Sequence, residues 1–230
     1  VRAGVLYLTS ASKGDVYDLG ESLKLLDKNL QKEWGPYPVT VFHDGLSESQ
    51  MEGLRRLTRG HSVHPTFALI DLSMPPGGGA GGEVLRKYLG YGMGYRAMCR
   101  FFSGPIFDHP AVSGLEYYMR LDVDSFLLEP FPYDPFLYMR DEKKTYGYLT
   151  TGVESREFAI GLWPTVKQHL NSRGLPARLA SYADPEGEWD YAFYYTNFEV
   201  SRVDFWRSEA YKGLFDALER AGGFWTHRWG

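Results

Sequence analysis

Cysteine is almost missing from this chain: one residue, Cys99, in 230. A lone thiol cannot close an internal disulfide or build a thiolate cage for zinc, so neither device holds the fold, and the redox compartment stays open. Long apolar runs are missing too. No stretch approaches the roughly 18 to 20 residues that span a bilayer, so no membrane segment is expected within these residues. Val1 opens directly into strand-like sequence, without the basic, apolar and small-residue pattern of a signal peptide, and the absence of an initiator Met leads us to expect a processed or excised chain. There is no basic excess either. Lys and Arg number 25 against 29 Asp and Glu, a net charge of -4, which provides no general field for phosphate backbones and argues against nucleic-acid binding. Apolar residues are plentiful, at 43% with 16% aromatic against 23% charged, which is enough to bury a large core and excludes a disordered tail.

The pattern along the chain is strand, loop, helix, repeated. Val5-Leu6-Tyr7-Leu8-Thr9 is rich in strand formers, and Val16, Leu19, Leu23, Leu26 and Leu30 then recur at helical spacing. A second run, Pro38-Val39-Thr40-Val41-Phe42, leads to Ser47 with Gln50 three residues on, a capping-box pattern that opens a helix through Leu54 and Leu57. A third run, Phe67-Ala68-Leu69-Ile70, completes an alternation that predicts an α/β fold with a largely parallel sheet flanked by helices. The glycine-rich run at 75–82 lacks the Lys-Ser or Lys-Thr ending of a phosphate-cradling loop and reads as a linker-like loop. Further on, helices are expected at 94–102, 155–170 and 209–221, and strands at 117–121 and 145–150. No linker divides the chain, and 1–230 is expected to be a single domain.

Arg120-Leu121-Asp122-Val123-Asp124-Ser125 carries the most chemistry. An apolar strand ending in Asp-x-Asp places carboxylates at the carboxyl edge of a sheet, where ligands of open α/β sheets bind. Hard divalent cations prefer oxygen ligands and commonly take one or two carboxylates plus substrate phosphates, which suits a sugar nucleotide's diphosphate. By itself the motif more often marks a turn or a solvated strand end than a metal site. His61 and His64 precede Pro65 in a polar turn and read as surface histidines; Cys99, inside an apolar helix, reads as a small core hydrophobe. The aromatic clusters at 189–195 and 224–229 suit either core packing or contact with sugar faces. Glu199, between Phe198 and Val200, is turned outward by strand alternation.

Several separated stretches, in one order, add a resemblance: residues 94–104, 107–110, 117–120, 144–148, 197–200, 204–208 and 220–230. Together they resemble the fungal Golgi α-1,2-mannosyltransferases, glycosyltransferase family fifteen, from about Arg2 to the last residue. The resemblance implies a GT-A fold, GDP-mannose as donor, a manganese ion, a mannose-terminated glycan as acceptor and transfer with retention of configuration. It implies the Golgi lumen and a membrane-anchored full-length form. Asp122 falls where the family carries a metal-binding glutamate, although Asp122-Val123 replaces the family's Glu-Pro; Asp124 completes the more general Asp-x-Asp. Tyr95 matches a tyrosine of the donor site, with Arg100 and Ser103 in the same matched stretch. Glu199 matches the acid discussed as the family's catalytic nucleophile. Ala192 and Phe193 depart from the family's Cys and His, so acceptor contacts there do not carry over. The family continues beyond Gly230 with an aspartate and, later, a metal-binding histidine, so the expectation is a catalytic domain truncated at its C-terminus.

Two other classes of function fit parts of this pattern. One is a relative that binds glycans without catalysis; activity with GDP-mannose separates it. The other is a phosphatase with Asp122 as nucleophile and Asp124 as general acid, but such chains carry the motif on their first strand, and here three strand and helix units precede it.

Overall fold

The computed structural model describes residues 1–79, 82–176 and 182–229. Ala80 and Gly81 of the glycine-rich run, and Gly230, therefore lie outside the described residues. The chain groups into two compact units: Val1–Asp71, Pro110–Leu149 and Tyr195–Asp204 form the first, and Leu72–His109, Thr150–Tyr194 and Phe205–Gly230 the second.

The first unit is built on a six-stranded sheet in the order Pro65–Leu69, Val39–His43, Ala3–Thr9, Tyr117–Leu121, Phe198–Arg202, Tyr146–Tyr148. The first four strands are mutually parallel, and Phe198–Arg202 runs antiparallel to both its neighbours. Strand order reverses direction at Ala3–Thr9: the chain winds outward to Val39–His43 and Pro65–Leu69, then returns on the other side with Tyr117–Leu121. That reversal opens a crevice at the carboxyl ends of Ala3–Thr9 and Tyr117–Leu121, the place where ligands of open α/β sheets bind.

The expected helix after the first strand is Lys13–Leu26, started by Ser12, whose side chain accepts from the Asp15 amide, and it runs on through a wider turn, Asp27–Gln31. Its Leu stripe fits the 3.6-residue period: Leu19, Leu23, Leu26 and Leu30 are all fully buried. Full burial of each such side chain is worth about 1.5–3 kcal/mol. They pack with Val5, Tyr7, Met119, Leu121, Phe198 and Val200, the residues of one sheet face. The alternate residues Tyr118, Arg120, Glu199 and Ser201 point to the opposite face and are also buried.

The second unit gathers Ala97, Phe224, Trp225 and Trp229 into its own core, with Leu218 and Phe215 packed against them. The aromatic cluster at 224–229 is thus mainly core, whereas in the cluster at 189–195 Tyr194 and Tyr195 are exposed. The helix expected at 155–170 is shorter and later, Leu162–Ser172. Gly161 stands before it at φ 78°, a left-handed conformation that an α-helix cannot pass through, and Pro164 sits in its first turn, where a missing N–H costs nothing. The strand expected at 145–150 is Tyr146–Tyr148, and Cys99 on the helix Met93–Ser103 is half-buried, not core. Among the described residues no helix is long and apolar enough to cross a membrane.

Candidate active site

Tyr117–Leu121 delivers its carboxylates by ending. Asp122 leaves the strand into a turn closed by the Ser125 amide donating to the Asp122 carbonyl at 2.9 Å. The turn is stapled to the start of the neighbouring strand, because the Asp122 amide (3.0 Å) and the Ser125 hydroxyl (2.8 Å) both donate to the Asn197 carbonyl. From below, the Ser22 hydroxyl donates to the Ser125 carbonyl at 2.9 Å and shares a 2.9 Å hydrogen bond with Tyr7. Fixed partners on both sides make the Asp-x-Asp turn a rigid platform, with Asp124 exposed and Asp122 half-buried.

Arg120, two residues before and on the same side, reaches forward: its Nη2 and Nε donate to Asp122 Oδ1 at 3.0 and 3.3 Å. Asp122 Oδ2 and the Asp124 carboxylate remain uncommitted among the described residues. Asn197 Oδ1, at the strand end that holds the turn, is a buried oxygen without a hydrogen-bond partner among them. Nowhere among the described residues do three or more His, Cys, Asp or Glu side chains gather as a metal cluster. Two carboxylates with buried amide oxygen nearby fit an oxygen-loving divalent ion whose remaining ligands come from a substrate diphosphate and water, and do not fit a zinc cage.

Antiparallel pairing sets Glu199 directly across from Arg120 on one side and Tyr148 on the other. Glu199 is only 6% exposed. The Tyr118 hydroxyl donates to its Oε1 at 2.7 Å and the Tyr146 hydroxyl to its Oε2 at 2.6 Å. Burial, then the Glu199 charge and hydrogen bond, push the Tyr118 phenol well above its ordinary value, so it remains a protonated donor throughout the physiological range. The outward turn that alternation suggested for Glu199 is real in direction, but the face it joins is covered. Sequence reasoning missed Tyr118, Tyr146 and Arg120. For Tyr118 and Arg120 the signal was their period-2 spacing along Tyr117–Leu121, which puts both on one side; Tyr146, on a separate strand, gave no local signal.

The remaining sequence candidates belong to the second unit. Tyr95, on the helix Met93–Ser103, is 38% exposed, packs its ring 4.6 Å from Tyr91, and has the Arg228 guanidinium 5.5 Å from its ring centre. Arg100 donates from Nε to Glu219 Oε2 at 2.5 Å and lies over the Phe215 and Trp225 rings. The Ser103 hydroxyl donates back along its own helix to the Cys99 carbonyl at 2.8 Å. Arg100 and Ser103 are thus engaged in packing their own unit.

The family model described as glycolipid 2-alpha-mannosyltransferase matches residues 86–230, more than half of the chain. The chain belongs to this family. O-glycoside alpha-1,2-mannosyltransferase omh1 of Schizosaccharomyces pombe is 29% identical over 242 residues, covering 100% of the chain and 62% of that protein. Glycolipid 2-alpha-mannosyltransferase 1 of Candida albicans is 28% identical over 239 residues, covering 97% of the chain and 55% of that protein. The chain therefore spans less than two thirds of the length of either relative. Core-mannan synthase A from Aspergillus fumigatus, solved in an Mn/GDP form, superimposes with a TM-score of 0.80 at 23% identity over 100% of the chain and 67% of that structure. With the galactosyltransferase LgtC also aligning, at a TM-score of 0.50, the mostly parallel sheet flanked by helices is a GT-A-type fold.

Proposed function

We propose that this chain is the catalytic portion of an α-1,2-mannosyltransferase that moves mannose from GDP-mannose to a mannose-terminated glycan, with retention of configuration and with Mn²⁺ as cofactor. The observation that carries it is the stapled Asp122-Val123-Asp124 turn at the crevice of the parallel sheet, one strand from a buried glutamate. Family membership and the Mn/GDP form of core-mannan synthase A support the same reading. Asp122 and Asp124 would hold the ion; when bound, it supplies positive charge to the departing diphosphate. In the transfer, the bond between the mannose anomeric carbon and the phosphate oxygen breaks, its electron pair leaves with GDP, and an acceptor hydroxyl oxygen bonds to that carbon while its proton passes to the departing diphosphate. Glu199 stabilises or traps the positive charge that develops on the sugar. Tyr95, with Arg100 and Ser103 on the same helix, would be donor-side residues, a reading supported by the resemblance of the stretch around them. The secretory pathway, and the Golgi lumen within it, is the corresponding location.

Ligand-induced stabilisation tests this reading directly. At about 100 times its dissociation constant a ligand stabilises by roughly 2.7 kcal/mol, so GDP with Mn²⁺ should raise the melting temperature clearly, and more than either alone. UDP should do less, and Asp122→Asn should abolish the joint effect. A UDP preference, or an unaltered response in Asp122→Asn, overturns the donor-site assignment. Phosphate release from simple esters without mannose transfer would identify the phosphatase instead.

A further inference from the structure

Resting on the reading of Glu199 as the acid that meets the sugar's positive charge, we infer that Tyr118 and Tyr146 are positioning residues: a pair of phenols that clamps the Glu199 carboxylate in one orientation. Each carboxylate oxygen receives its own donor, Oε1 from Tyr118 and Oε2 from Tyr146. The donors come from the two strands on either side of Phe198–Arg202, so the clamp closes across three strands. A glutamate side chain has three rotatable torsions, and a carboxylate free to rotate meets a reacting carbon in the right direction only part of the time. Two donors from opposite sides remove that freedom while leaving a lone-pair direction on each oxygen unused.

The chemical type of the donors matters. A lysine or arginine in their place would neutralise the charge that the reaction needs at the sugar, whereas a phenol orients the carboxylate and carries no formal charge. The nearby cation, Arg120, is engaged elsewhere, donating to Asp122. The sheet thus gives the arginine to the Asp-x-Asp turn and the two phenols to Glu199.

The test uses the full chain and two independent readouts for Tyr118→Phe, Tyr146→Phe, both together, and Glu199→Gln, with Tyr17→Phe, an exposed tyrosine on another element, as control. In urea unfolding, Tyr118→Phe should cost less in the Glu199→Gln background than in wild type, by at least about threefold in the unfolding constant; additive effects overturn the clamp. In mannose transfer, each Tyr→Phe change should lower kcat by about tenfold or more while KM for GDP-mannose stays within about threefold. After Glu199→Gln, a further tyrosine change should cost less than about twofold. Full kcat in the double Tyr variant, with Glu199→Gln inactive, overturns positioning. Near-normal kcat in Glu199→Gln defeats the catalytic reading of Glu199 itself, and the unfolding coupling then still decides whether the clamp exists.

Discussion

Asp27 shows how much one side chain can hold. Its carboxylate is 1% exposed, yet it receives the His61 Nδ1 at 2.8 Å, the Ser62 amide at 2.6 Å and the Lys32 ammonium at 3.4 Å. Burial by itself would push its pKa up, but the His61 and Ser62 hydrogen bonds, with Lys32, outweigh burial and hold it below the ordinary carboxylate value. A depressed folded value means that this stabilisation is present above the unfolded pKa of about 3.9 and is lost as pH falls through the folded one. His61→Ala should therefore destabilise the chain by about 1–3 kcal/mol near neutral pH, measured by urea unfolding. An unchanged midpoint would show that Ser62 and Lys32 suffice. The polar-turn reading of both histidines as surface residues holds for His64, which is exposed, and His61 too keeps 37% of its side chain exposed while its ring is tied to Asp27. The partner of His61 lies 34 residues earlier, beyond the reach of any local pattern.

At the scale of elements, the helix Glu48–Leu57 begins as its sequence predicts. Ser47 accepts from the Gln50 amide at 3.3 Å while its own amide donates to Gln50 Oε1 at 2.9 Å, a complete capping box. Gln50 does one thing more: its Nε2 donates to the Ala11 carbonyl at 3.0 Å, tying the helix start to the loop after the first strand. Ser47→Ala should cost about 1 kcal/mol, and Gln50→Ala should cost at least as much because it removes the tie as well as the cap. Chemical denaturation of the two variants checks the order; a harmless Gln50→Ala would mean that the tie contributes nothing. The helix Glu209–Ala221 also ends where its glycines indicate, with Gly222 at φ 75° taking the left-handed cap position. By contrast, the late start at Leu162 depended on the conformation of one glycine, Gly161, which helical spacing does not report.

Across the whole molecule the histidines set a pH limit. His43, His109 and His227 all have their pKa lowered, in each case chiefly by burial. His43 Nδ1 accepts the Leu46 amide at 3.1 Å, a bond that only the neutral ring can take. Because the folded values lie below the unfolded value of about 6.5, the unfolded chain takes up protons first as pH falls. Stability from these groups is thus complete above about pH 6.5 and declines below it, at up to about 1.4 kcal/mol per pH unit for each histidine. Urea midpoints should be similar at pH 7.5 and 6.5 and clearly lower at pH 5.5, and an unchanged midpoint at pH 5.5 would sink the argument.

Local chemistry was enough to read the alternation of strands and helices, the Leu stripe of Lys13–Leu26, the Ser47 cap and the Asp-x-Asp at a strand end, because each depends on neighbours within a few residues. The surroundings of Glu199 were decided elsewhere. Period-2 spacing says which side of a strand a residue takes, not what covers that side, and for Glu199 the cover comes from an antiparallel strand order. That order brings in a phenol from 81 residues away and another from 53, which turns a glutamate expected to face solvent into a buried, doubly held carboxylate beside the Asp122 turn. Strand pairing is a competition among all edges of the sheet for burial and hydrogen bonds, so its outcome exists only in the folded chain.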